Sequence, residues 1–164
     1  LGLLAQGPAK LLQGTIWVCA YARQNLVNIQ AFVAPEGSAV IPAQSMTKEE
    51  AVRAIRATDG EVYVFGSGIR RNQSFWAKHL EGMHVLDPIW DTPLPEVMLL
   101  AALKSPASKA YILPAYLRPS DAEIQLEHIA RKRGVDPRVV RETIPDFERN
   151  PLKSSQPPDT NGEV

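Results

Sequence analysis

The chain has 164 residues, 45% of them hydrophobic and 22% charged, with 18 basic residues balanced by 18 acidic ones. That is the composition of one soluble globular domain or two very small ones, and zero net charge argues against a nucleic-acid binder working through a whole-domain positive field. A lone cysteine, Cys19, excludes an internally disulfide-stapled scaffold and points to a reducing, cytoplasmic compartment, and no apolar stretch approaches the roughly 20 residues needed to cross a bilayer.

Residues 1–12 are apolar but have no basic leader, so they do not read as a signal peptide. The chain opens on Leu1 rather than Met, which reads as a piece of a longer product. Only Lys10, Arg23 and Glu36 are charged among the first 45 residues. So sparse a stretch is expected to be covered, by helices of its own or by something outside the sequence. Residues 15–22 (TIWVCAYA) and 26–34 (LVNIQAFVA) predict two strands joined by the polar turn Arg23-Gln24-Asn25. The second alternates, with Val27, Ile29, Ala31 and Val33 on one buried face. The first is apolar on both faces, which places it in the middle of a sheet or at an interface. Residues 35–46, with two prolines, read as a loop.

Thr47-Lys48-Glu49-Glu50 is a capping box, followed by the helical stripe Ala51, Val52, Ala54 and Ile55 and ended at Asp59-Gly60. A third strand over 61–65 (EVYVF) runs straight into Gly66-Ser67-Gly68. A helix over about 70–80 is expected to turn Phe75, Trp76 and Leu80 inward, with a short strand at Val85-Leu86 and a helix over 97–103 behind Pro93. Between Asp121 and Arg149 nearly every second residue is charged. One helix there is capped by Ser120 with Glu123 and stops at Gly134, and another starts at Asp136-Pro137. Residues 150–164 are polar and proline-rich and read as a disordered tail. The order β-β-α-β-α-(β)-α-α-α predicts an α/β or α+β fold, a small mixed sheet with a hairpin packed by helices. The expected division is 1–122, a helical extension 123–149, and the tail 150–164.

Few residues suggest chemistry. Gly66, Ser67 and Gly68 join a strand to a helix, where backbone comes close to a phosphate or nucleotide, with Arg70 and Arg71 following. A Walker lysine and a dinucleotide fingerprint are both missing, so the glycines read first as a tight strand-to-helix turn and only weakly as a nucleotide contact. His79, His84 and His128 meet no zinc-ligand spacing, and no metal is predicted. Asp87, Asp91 and Glu96 read as loop and cap residues. Cys19, mid-strand, reads as core filling, and Arg131-Lys132-Arg133 as a cationic helix end. The residues therefore describe a binding or structural module with no catalytic set.

Three segments together resemble the C-terminal part of the TsaB (YeaZ) family, bacterial proteins also labelled M22 glycoprotease-like. Residues 18–32 (VCAYARQNLVNIQAF) are similar to its hairpin, in which an apolar run leads to Asp-Ala-Arg, a turn and Glu-Val-Tyr. Residues 62–68 (VYVFGSG) are similar to its strand leading into a Gly-x-Gly turn. From Pro95 through LLAALK, the chain reaches Pro114, Tyr116, Leu117 and Arg118, which match the family's terminal Pro-x-Tyr-Leu-Arg. Tyr21 replaces the family's Asp, Leu26 and Asn28 replace its Glu and Tyr, and nothing resembles its N-terminal half.

The resemblance implies one half of an actin/Hsp70-like (ASKHA) fold and a non-catalytic scaffold in the synthesis of tRNA N6-threonylcarbamoyladenosine (t6A). Its partners would be a TsaD-like protein and the TsaE-like ATPase. It gives no support to a peptidase activity. No cofactor, no membrane and no direct nucleic-acid contact is expected. The partner surface, or a homo-oligomer contact, is expected on the hairpin at Trp17, Tyr21, Leu26 and Phe32. Two other readings stand: a nucleotide-binding half-domain using the Gly66-Ser67-Gly68 turn, and an inactive fragment.

Overall fold

Strand β1 (Gly14–Arg23) lies at the centre of a five-stranded mixed sheet. It pairs antiparallel with β2 (Leu26–Ala34) on one side and parallel with β4 (Val62–Phe65) on the other. Strand β3 (Ser38–Thr47) extends the sheet antiparallel to β2, and the two-residue β5 (His84–Val85) extends it parallel to β4. The order is β3-β2-β1-β4-β5, and β2 alone runs against the rest. The computed structural model describes residues 1–23, 25–106, 117 and 121–136.

A strand that is apolar on both faces needs cover on both, and β1 has it. Trp17 and Cys19 enter one core with Val27, Ile29 and Val64, roofed by α2 (Lys48–Arg56), α3 (Ser67–Arg71) and α4 (Gln73–His79) through Ile55, Ile69 and Trp76. Ile16 and Val18 enter a second core with Phe32 and Phe65, roofed by α1 (Gly2–Ala9) through Ala5 and Ala9. The result is three layers with a central sheet, built within the unit Leu1–Arg118. Cys19 has no exposed surface, and burial pushes its thiol up to about 12, so it is an inert core side chain.

Four expectations are corrected. Residues 35–46 are not a loop: β3 occupies most of them, an edge strand where Pro42 removes no hydrogen bond that the sheet needs, at an irregularity in the register between Ile29 and Ala31. The second strand is buried on two faces rather than one, because α1 lies over its far end and closes on Phe32 and Ala34. Helix α1 is itself an addition. Gly2, Gly7 and Pro8 are poor helix formers, and it is burial of Ala5, Gly7, Pro8 and Ala9 that holds the segment helical. The helix expected over 70–80 is two short ones broken at Asn72, whose backbone (φ −136°, ψ 46°) is not helical.

The capping box is built as expected. The Thr47 hydroxyl accepts from the Glu50 amide at 3.2 Å, and the Glu50 carboxylate accepts from the Thr47 amide at 2.8 Å. A 3-10 turn (Pro88–Asp91) and helix α5 (Pro95–Lys104) follow β5. The second unit, Pro119–Val164, contains α6 (Asp121–Lys132), ending just before Gly134. The helix expected from Pro137 and the tail 150–164 lie outside the described residues.

Candidate functional site

Strand order reverses at β1: the chain leaves it for β2 on one side and later lays β4 on the other. In open sheets the crevice beyond the carboxyl ends of two such strands is where ligands are held. Here a cleft of about 550 Å³ opens there, lined by Tyr21, Ser67, Arg70, Arg71 and Asp91.

Gly66 makes the turn into this cleft. Its φ of +115° suits a residue without a side chain, and a Cβ on it would stand 2.4 Å from the Cys19 carbonyl oxygen. A Cβ on Gly68 would come within 2.9 Å of the same oxygen. The two glycines therefore let α3 press onto β1. Below them, the Trp76 indole donates to the Gly68 carbonyl at 2.9 Å, and the Tyr21 amide donates to the Ser67 hydroxyl at 3.0 Å.

The polar groups that a phosphate would use are largely taken by the chain itself. The Gly66 amide donates to Asp91 Oδ1 at 2.9 Å. Arg70 Nε donates to Asp91 Oδ2 at 2.9 Å, and its Nη2 donates to the Leu86 carbonyl. Asp91 is thus more than the loop residue expected of it: its carboxylate ties the 3-10 turn to the β4–α3 turn. Arg71 is different. Its guanidinium lies 4.9 Å over the Tyr21 ring, and among the described residues no carboxylate is within ion-pair distance of it.

The other candidates disperse. Asp87 caps the 3-10 turn by accepting from the Ile89 amide, and Glu96 sits in the first turn of α5. His79 Nδ1 contacts the Phe75 carbonyl, whereas His84 Nε2 meets Glu61 and its ring stacks on Tyr63. His128 is exposed on α6, and Arg131 and Lys132 lie in that helix's last turn. Among the described residues no group of three His, Cys, Asp or Glu side chains is placed to hold a metal ion, and no helix is long and apolar enough to cross a membrane.

The expected hairpin surface does not exist as such. Trp17 is fully buried, its indole donating to Thr58 Oγ1 at 3.1 Å, and Phe32 is 3% exposed in the opposite core. Leu26 is half-buried, and only Tyr21 reaches the surface. The hairpin is the middle of the sheet, with β3 and β4 on its flanks, so it has no free edge to offer a second copy. The apolar surface lies elsewhere. On α5 only Val97 is buried, while Met98, Leu99, Leu100 and Leu103 are exposed, Leu99 at 61% and Leu103 at 74%. The signal was present in the run VMLLAAL, which is apolar all round the helix and marks a helix that needs covering on every side. Neither the protein-family models nor the curated proteins contain a match to this chain.

Proposed function

We propose that the chain is a non-catalytic scaffold subunit, or part of one, in the synthesis of t6A on tRNA, supporting a TsaD-like partner together with a TsaE-like ATPase in the cytoplasm. The observation that carries this reading is that one compact unit gathers the described segments of the resemblance. The hairpin is β1–β2, VYVFGSG is β4 with its turn, and LLAALK lies in α5, all within Leu1–Arg118. A three-stranded meander continued by two parallel strands is also what one half of an actin/Hsp70-like fold requires, which supports the finer assignment of the fold.

The internal use of Gly66 and Arg70 supports a scaffold over a nucleotide wall, because a carboxylate stands where the phosphate would. The partner contact moves from the hairpin to α5. Its exposed leucines, beside an α1 that touches both α5 and the 3-10 turn, form the apolar centre that a stable protein interface needs. The test is a calorimetric titration of the whole chain against the TsaD-like subunit of the same organism. Saturable binding is expected. A folded chain that gives no binding heat with an active partner overturns the reading, and a rise in melting temperature with saturating ATP instead would favour the nucleotide-binding half-domain.

A further inference from the structure

The cleft at the carboxyl ends of β1 and β4 has a charge imbalance that the fold does not use. Its lining carries two guanidinium groups, Arg70 and Arg71, and one carboxylate, Asp91, which leaves one positive charge. Asp91 is spent on Arg70 and the Gly66 amide. Among the described residues the cation of this lining that no carboxylate faces is therefore Arg71, which lies over the Tyr21 ring. The Tyr21 ring leaves the donors of this exposed guanidinium available to an anion in the cleft. The Ser67 hydroxyl, which accepts from the Tyr21 amide, retains its own proton to donate.

We propose that this cleft receives a carboxylate side chain of an acidic peptide segment, seated between the Arg71 guanidinium, the Ser67 hydroxyl and the Tyr21 ring. The charge fixes the class. A single net positive charge matches a monoanion, whereas a phosphate dianion would face Asp91 with the Gly66 amide already taken. The shape agrees, because the cleft is open to solvent and suits a protruding side chain better than a small metabolite that must be enclosed. The inference stands on the cleft alone and holds whether or not the t6A reading does.

The experiment is a nuclear magnetic resonance titration of the isotope-labelled whole chain with a capped tetraglutamate peptide, with tetraglutamine and inorganic phosphate run beside it. Tetraglutamate is expected to shift the amides of Tyr21, Ser67 and Arg71 saturably, and tetraglutamine is not. Arg71→Ala, at an exposed position, should keep the spectrum of the folded chain and weaken binding by about ten-fold or more, with Arg71→Lys between the two. Three results would each overturn the proposal: no saturable shift with tetraglutamate, unchanged affinity in Arg71→Ala, or saturation by phosphate and not by the peptide.

Discussion

Strand β1 and helix α5 are both apolar on every side, and the fold treats them in opposite ways. β1 is buried from Ile16 to Cys19 by helices above and below the sheet. α5 buries Val97 and leaves four large side chains in water. Apolar surface all round an element demands cover all round. For β1 the chain supplies that cover itself. For α5 the described residues supply it on one side only, and this is the physical basis for placing a partner there.

The contrast breaks if stability does not follow it. Trp17→Ala should cost about 3–5 kcal/mol in denaturant unfolding, since it empties a fully buried site and removes the indole hydrogen bond to the Thr58 hydroxyl. Leu103→Ala in the isolated chain should stay within about 0.5 kcal/mol of the parent. Equal costs at the two positions would mean that α5 is covered after all. Next in size is the turn that presses α3 onto β1. Gly66→Ala combines an unfavourable φ with a 2.4 Å approach to a carbonyl oxygen and should cost about 2–5 kcal/mol. Gly68→Ala, with the weaker 2.9 Å approach, should cost about 1–3 kcal/mol by the same measurement. A neutral Gly66→Ala would show that the turn is looser than its packing implies.

The smallest effect concerns the capping box, which orients α2 over the Trp17 core. The Thr47 amide and then its hydroxyl hold the exposed Glu50 carboxyl below its ordinary range. A carboxyl depressed in the folded state adds stability above its unfolded value, near 4.3, and loses it as pH falls through the folded one. Glu50→Gln should therefore be less stable than the parent at pH 7, and the gap should close below pH 4. Melting curves at the two pH values check this, and a gap that is independent of pH removes the carboxylate from the cap.

Much of this was legible, for reasons that differ by element. The double-sided apolar run of 15–22 narrowed β1 to the middle of a sheet or an interface, and the Thr47–Glu50 spacing fixed the start of α2, because both signals are local. β3 was hidden because Pro42 reads as a loop unless the strand is known to be an edge. α1 was hidden because its helix exists through burial against β1 and β2 rather than through propensity. The site was half visible. Gly66-Ser67-Gly68 marked the turn, but nothing in the spacing tells that Asp91, far along the chain, comes back to take the Gly66 amide. Trp17 and Phe32 misled because aromatic residues suit a core and an interface equally, and only the tertiary cover decides between them.

The scaffold reading and the exposed helix meet in one measurement: calorimetric titration of the TsaD-like subunit with the parent chain and with a Leu99→Asp, Leu103→Asp variant, each checked for its melting temperature. The account predicts saturable binding by the parent and affinity at least about ten-fold weaker in a variant that melts like the parent. Equal binding by the two chains would contradict the placement on α5, and no binding by either would contradict the scaffold function itself.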